Sequence, residues 1–255
     1  MTALKVVIPA RLGSTRLPRK PLADLGGKPM VVRTFEAAVS AVGADNVVVA
    51  ADHESVVQAV EKAGGQAVMT SAAHENGTER VAEAARLLGF AADQIVVNLQ
   101  GDEPLMPPRL ITAVGDALRG DPAAEMATLA ASIIDARDIA NPNIVKLVRG
   151  DNGHALYFSR AAIPHVRDPQ DMGEENAYFL RHVGLYAYRV STLNRVASLP
   201  PVAIEQAEKL EQLRALSAGI KIHVALTDDV PPHGVDTPEM LQAVSEILVG
   251  QSGVT

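Results

Sequence analysis

Short apolar runs rich in β-branched residues alternate with amphipathic stretches through the first hundred residues. That alternation restricts the fold more than any other feature of the chain. The runs are KVVIPA (Lys5–Ala10), NVVVAAD (Asn46–Asp52), AVMT (Ala67–Thr70) and QIVVNL (Gln94–Leu99). They are nearly continuous in hydrophobicity, as strands covered on both faces must be. Between them, Val31–Val42 sets Val31, Phe35, Ala38, Val39 and Val42 on one helical face, and Glu54–Ala63 and Thr78–Leu88 repeat the pattern. Strand–helix–strand succession predicts an α/β fold with a doubly wound, mainly parallel sheet and helices on both faces. Ligands of such sheets bind beyond the carboxyl ends of the strands.

The rhythm changes after about residue 120. Met126–Ile133, Val145–Arg149, Ala155–Ser159 and Val183–Tyr188 read as strands with shorter connections, an antiparallel addition. A helix is expected over Ile204–Ala218, ended by Gly219, then a strand at Ile220–Leu226 and a last helix from Asp236 to about Val249. Six of the eight Phe and Tyr residues fall between Tyr157 and Tyr188. Such a concentration implies a second small core, a subunit interface or a substrate wall. With no internal repeat and no low-complexity linker, residues 1–255 are expected to form a single α/β domain.

Composition removes several function classes. A net charge of −7 argues against non-specific nucleic-acid binding. The absence of cysteine excludes disulfides, thiolate-ligated zinc and thiol catalysis. No apolar run reaches the length of a membrane span. MTALKVVIPARLG lacks the pattern of an export signal, so the expected location is the cytoplasm.

Against this acidic background IPARLGSTRLPRKPLADLGGKPM is anomalous, carrying Arg11, Arg16, Arg19, Lys20 and Lys28 directly after the first strand. Gly13 lets backbone N–H groups approach an anion, and arginine and lysine suit a triphosphate. The bland alternative is a solvated basic loop. Neither a G-x-G-x-x-G fingerprint nor a Walker A spacing is present. Opposite in chemistry is NLQGDEPLM, an apolar strand ending in Gln100-Gly101-Asp102-Glu103-Pro104. Acids there, facing phosphates, suit a Mg²⁺ bridge, although Asp and Pro also make turns. In HGVDTPEM, Asp236 is either a second carboxylate for the metal or the N-cap of the last helix, with Glu239 completing a capping box. In NGTER, Arg80 lies in the first turn of a helix, where it opposes the helix dipole unless it faces an anion, and Asn76 or Thr78 is the cap. The seven histidines show no H-x-x-x-H pair, so no histidine zinc site is expected, and the absence of G-x-S-x-G disfavours an α/β-hydrolase.

Taken in order, IPARLGSTRLPRKPL, NGTER, NLQGDEP, NPNIVKLV, ALYFSRAAIP, FLRHVGLYAYR, EKLEQLRAL and GVDTPE resemble the 3-deoxy-manno-octulosonate cytidylyltransferases over nearly the whole chain. The first and third motifs are shared with other sugar nucleotidyltransferases; the combination is more specific. The resemblance implies a Rossmann-like nucleotide-diphospho-sugar transferase fold, Mg²⁺ dependence, a homodimer, and transfer of CMP from CTP to Kdo. An amino-modified Kdo or an acylneuraminate-type acid is the alternative acceptor. Carried over by motif, Arg11 and Lys20 hold the triphosphate with Arg16 nearby. Ala10 and Leu12 lie by the cytosine and ribose, and Asp102 and Asp236 hold magnesium. Arg80, Gln100, Arg160, His182, Tyr186, Glu211 and Gln212 line the sugar site. The region from about 126 to 226 then includes sugar-binding and dimerisation elements. Two departures stand out: many members carry Gly where this chain has Arg19, and Ser where it has Asn76.

Overall fold

The computed structural model describes residues 3–13, 17–168, 178–232 and 234–252. Two compact units emerge, one from Met1–Thr112 with Pro231–Thr255 and one from Ala113–Val230.

In the first unit β1 (Lys5–Ala10), β2 (Val47–Ala51), β3 (Gln66–Met69) and β4 (Ile95–Asn98) lie in the order β3-β2-β1-β4. All their pairings are parallel, with Val7 opposite Val48 on one side and Asn98 on the other. Val6, Val7, Ile8, Val47, Val49, Val96 and Val97 are fully buried, as the continuous apolar runs require. The edge strand β3 is partly exposed. Helix α1 (Met30–Val42) connects β1 to β2, α2 (Glu54–Lys62) connects β2 to β3, and α3 (Gly77–Leu87) connects β3 to β4. Right-handed crossovers put α1 and α2 on one face and α3 on the other, because the path reverses direction after β3. That reversal falls between β1 and β4. Helix α4 (Pro108–Gly120) carries the boundary between the units.

The second unit is built on β5 (Met126–Ser132), β6 (Lys146–Arg149), β7 (Ala155–Ser159), β8 (Leu180–Arg189) and β9 (Ile222–Leu226). Strand β8 runs antiparallel to β5, β9 parallel to it, and β6 antiparallel to both β7 and β8. The expected antiparallel addition is present. The β5–β8 register slips at Thr128/Leu129. The Thr128 hydroxyl lies 3.1 and 2.9 Å from the Val183 and Leu185 carbonyls and 3.0 Å from His182 Nε2. Four short helices complete the unit: α5 (Ala136–Ile139), α6 (Val190–Ser198), α7 (Ala203–Glu208) and α8 (Gln212–Ser217). The single helix expected over Ile204–Ala218 is therefore two. Lys209 adopts the left-handed region at φ 53° and ends α7. The last helix, α9 (Pro238–Ser252), belongs to the first unit and starts two residues later than the sequence suggests.

Candidate functional site

The sheet opens where its order reverses. A cleft of about 780 Å³ sits at the carboxyl ends of β1 and β4, lined by Ala10, Arg11, Lys20, Gln100, Asp102 and Asp236 among others. Its floor depends on Gly101: a Cβ there would stand 2.8 Å from the Pro9 carbonyl, so only glycine lets the turn after β4 pass against β1.

Three charged residues far apart in sequence meet in this cleft. Lys20 begins a 3₁₀ turn (Lys20–Leu22) entered through Arg19 at φ 54°, ψ 34°. Its ammonium bonds the Asp102 carboxylate closely and lies 2.7 Å from Asp236 Oδ1. The Asp236 segment is pinned by the Val235 N–H, which donates to the Asp102 carbonyl at 2.8 Å. The N-cap reading of Asp236 is corrected. Thr237 caps α9, accepting the Met240 N–H on its hydroxyl at 3.3 Å, and Asp236 is left to turn toward Lys20. Burial first, then the neighbouring Asp102, pushes the Glu103 carboxyl up to about 8; Lys20 offsets part of this and Asp236 adds to it. At neutral pH Glu103 is thus mostly protonated, and the cluster holds two carboxylates against one ammonium. An all-oxygen donor pair already converging on a cation is chemically suited to Mg²⁺.

The opposite wall is held together by one acid. Asp52, beyond the end of β2, accepts the Leu12 N–H on Oδ1 at 2.8 Å and pairs with Arg80 at 3.5 Å through Oδ2. Arg80 is 2% exposed and also donates to Thr70 Oγ1 at 2.7 Å and the Ser71 carbonyl at 3.1 Å. Arg80 is among the residues lining the cleft, but its guanidinium is already engaged. Burial lowers its pKa, with Asp52 acting in the opposite sense. The Leu12 N–H, expected beside the nucleoside, is spent on Asp52. Arg11 reaches the Glu75 carbonyl at 3.5 Å. Asn76 is the N-cap of α3, accepting the Glu79 N–H at 2.9 Å, and Gln100 donates to Asn98 Oδ1 at 3.0 Å. Lys28, the last cation of the basic stretch, pairs with Glu36 at 2.6 Å on the surface. Arg16 and His233 lie outside the described residues.

The remaining expected sugar-site residues are in the second unit. His182 packs edge-on to Phe158 with ring centroids 5.1 Å apart and tilted against Tyr186 at 5.2 Å. Burial pushes the His182 imidazole down to about 3 and the Tyr186 phenol well above its usual range. The Tyr186 hydroxyl and Gln212 Nε2 are buried without a hydrogen-bond partner among the described residues. Glu211, at the N-cap of α8, lies close enough to raise Tyr186 further. Arg160 is tied down, donating to the Glu208 and Pro142 carbonyls at 2.7 and 2.9 Å.

Asp52 and Lys146 escaped the sequence reading; Glu103 was read only with Asp102 as an acid suited to Mg²⁺, whereas burial keeps it mostly protonated. Lys146 is fully buried and donates to the Asn141, Ile144 and Arg160 carbonyls at 2.8, 2.6 and 2.7 Å. The position of Asp52 at a strand's carboxyl end was a usable signal. A lysine in NPNIVKLV gave none, because its partners are backbone atoms.

Among known proteins, the Cytidylyltransferase family profile matches residues 5–222. The 3-deoxy-manno-octulosonate cytidylyltransferase of Vibrio vulnificus (strain CMCP6) is 50% identical over 249 residues, 97% of this chain and 98% of that protein. The one from Polynucleobacter necessarius (strain STIR1) is 51% identical over 95% of this chain and 94% of its own. The solved structure of CMP:2-keto-3-deoxy-manno-octonic acid synthetase complexed with CTP superposes with a TM-score of 0.89 at 43% identity, covering 98% of this chain and all of that one. A cytidylyltransferase structure from Leptospira borgpetersenii shares the fold, with a TM-score of 0.59 at 17% identity over 99% of this chain and 96% of that one.

Proposed function

The chain belongs to the 3-deoxy-manno-octulosonate cytidylyltransferases, within the cytidylyltransferase family, and from that premise we propose that it transfers CMP from CTP to the anomeric hydroxyl of Kdo. Pyrophosphate is released, and the CMP-Kdo serves lipopolysaccharide synthesis. The observation that carries this reading is the convergence of Lys20, Asp102 and Asp236 in the cleft at the carboxyl ends of β1 and β4.

The anomeric hydroxyl attacks the α-phosphorus in line, and no covalent enzyme intermediate is needed. Asp102 and Asp236 would hold Mg²⁺, which when bound draws charge off phosphate oxygens and makes a neighbouring hydroxyl more acidic. Lys20 bonds both carboxylates in the structure and offsets one of their two charges. On nucleotide binding it exchanges these partners for phosphate oxygens, so that the ammonium faces the charge that grows on the leaving pyrophosphate. Arg11 forks the triphosphate from the end of β1. Arg80 and Asp52 hold the loop that carries Arg11 and act as positioning residues. Tyr186 and Gln212 offer buried polar atoms suited to sugar hydroxyls, with His182 and Glu211 beside them in their motifs and Arg160 coming from ALYFSRAAIP.

A homodimer is proposed on the exposed apolar side chains Ile134, Leu156 and Tyr178 of the second unit, which a subunit contact would cover. Among the described residues no helix is long and apolar enough to cross a membrane, and the proposed location is the cytoplasm.

A pyrophosphate-release assay with Kdo and Mg²⁺ tests the function, offering CTP against UTP, ATP and GTP. The expected result is turnover with CTP far above the other three. Tight CTP binding without pyrophosphate release would overturn the proposal.

A further inference from the structure

The second unit holds a cluster of side chains that CMP transfer does not use. Asp121 directly follows α4, His154 directly precedes β7, and His223 lies in β9. Asp121 Oδ2 receives His154 Nε2 at 2.7 Å and His223 Nδ1 at 2.8 Å. One carboxylate oxygen and two imidazole nitrogens thus lie within 4.8 Å of one another. The two rings meet edge-on, with centroids 6.2 Å apart, so their nitrogens converge on one point instead of stacking.

The convergence is built by the backbone. Gly153 sits at φ +83°, and a Cβ there would come 3.1 Å from Arg149 Nη2 and 3.3 Å from His223 Cε1. Glycine is what lets the turn before β7 close beside His223. That turn is held from both sides: the Val224 N–H donates to the Gly153 carbonyl at 2.9 Å, and the Gly150 N–H donates to the His154 carbonyl at 2.8 Å. The other Asp121 oxygen accepts the Ala123 N–H at 2.9 Å, which fixes the carboxylate with Oδ2 toward the imidazoles. The side chains of Asp121, His154 and His223 are 18%, 14% and 21% exposed, so a small ion can reach them.

We propose that Asp121, His154 and His223 form a binding site for a first-row transition-metal dication, with Zn²⁺ the best fit and water completing the coordination. Two imidazoles and one carboxylate select Zn²⁺, Co²⁺ or Ni²⁺ over Mg²⁺, which prefers oxygen alone. Ligand distances of about 2.0–2.1 Å in a tetrahedron require the present nitrogen–oxygen separations to open by roughly half an ångström. Side-chain torsions supply that. Each neutral imidazole binds through a lone pair, so the proton now facing Asp121 moves to the other ring nitrogen. The carboxyl-terminal end of α4 adds negative potential at the ion. Arg149, whose Nε donates to the Val224 carbonyl at 2.9 Å, opposes it, and the ionised Asp121 offsets Arg149. The site was invisible to spacing rules because its ligands stand 33 and 102 residues from Asp121. Occupied, it would fasten the end of α4, the β6–β7 turn and β9 together.

Titration of the intact chain with Co²⁺ in excess Mg²⁺ tests this, read by the visible absorption of low-coordinate cobalt. One equivalent is expected to bind, to be displaced by Zn²⁺, and to persist in Asp236→Asn, which separates this site from the cleft. Asp121→Asn, His154→Gln and His223→Gln should each weaken binding by about a hundredfold or more. Zn²⁺ at a hundredfold excess over Kd should raise the melting temperature of the wild type by about 5–10 °C and leave the variants unmoved. His154→Gln changes a turn residue and serves even if Asp121→Asn fails to fold. No cobalt band in the wild type, or a band that disappears in Asp236→Asn and survives His154→Gln, would overturn the proposal and leave the triad a hydrogen-bonded clasp.

Discussion

The charged cleft of the first unit and the aromatic cluster of the second prepare for a ligand in opposite ways. In the cleft the charged side chains are already engaged: Lys20 with Asp102 and Asp236, Arg80 with Asp52, and Arg11 with the Glu75 carbonyl. In the second unit two polar atoms, Tyr186 Oη in the cluster and Gln212 Nε2 in α8, are buried with no hydrogen-bond partner among the described residues. The difference follows from desolvation. A buried unpaired charge costs far more than a buried unpaired hydroxyl or amide, which costs about 1–3 kcal/mol. Charged groups therefore trade internal partners for ligand, whereas neutral groups can wait unpaired. A trading site keeps its fold stable without ligand; a waiting site is preorganised at the expense of stability.

The sharpest way to break this contrast is at Lys20. Lys20→Ala leaves Asp102 and Asp236 facing each other without their shared cation. Steady-state turnover should fall at least about a hundredfold, equivalent to about 2.7 kcal/mol of transition-state stabilisation. Circular dichroism should show the fold retained, and near-normal turnover would remove Lys20 from the phosphate site. On the other side of the comparison, Tyr186→Phe deletes a hydroxyl that has no partner among the described residues. It should leave stability unchanged or raise it by up to about 1 kcal/mol, while the KM for Kdo rises roughly tenfold and that for CTP does not. Loss of stability by chemical denaturation would mean that the hydroxyl has a partner after all.

His182 sharpens the same cluster through pH. Its folded pKa is depressed to about 3 by burial, so the unfolded chain binds a proton there that the folded chain refuses. The associated stability is full above the ordinary imidazole pKa of about 6.5 and is lost as pH falls from there toward 3. Between pH 6.5 and 5, Glu103, raised to about 8 in the fold, contributes a slope of the opposite sign, so the effect is read as a difference between variants: the wild-type denaturation midpoint should drop with falling pH relative to that of His182→Gln. Parallel pH curves for the two would contradict the burial argument. The smallest effect is expected at Arg19, held at φ 54° beside Lys20. Arg19→Gly relieves a left-handed residue of its Cβ clash and should stabilise by roughly 0.5–1 kcal/mol in thermal unfolding. A destabilised variant would show that the guanidinium earns its strained position.

Arg19 also shows how far the sequence could be read. From sequence Arg19 reads as extra basicity; the backbone shows a left-handed turn that glycine would fill without strain and that aims Lys20 at the two carboxylates. Strands Lys5–Ala10 and Ala155–Ser159 were legible to the residue because burial on both faces, or close pairing, leaves a continuous apolar signature. The broken helix at Lys209 was not legible, since a left-handed lysine has no compositional mark. The cleft residues Arg11, Lys20, Asp102 and Asp236 stood out as charges at strand ends. Asp52 carried the same strand-end signal, but its role of accepting the Leu12 N–H and pairing with Arg80 is set by tertiary contacts; Lys146 carried no signal, because its partners are three carbonyls. At Asp236 the structure decides the cap, which falls one residue later, on Thr237.

That residue also supplies the most direct test of the cleft. Single-turnover formation of CMP-Kdo, measured against Mg²⁺ concentration, should show saturable metal dependence in the wild type. Asp236→Ala should lose at least about a hundredfold of the rate, together with the wild-type metal curve, while its melting temperature moves little because Thr237 still caps α9. An Asp236→Ala enzyme with the wild-type rate and the wild-type Mg²⁺ curve would contradict the assignment of this cleft as the metal–triphosphate site.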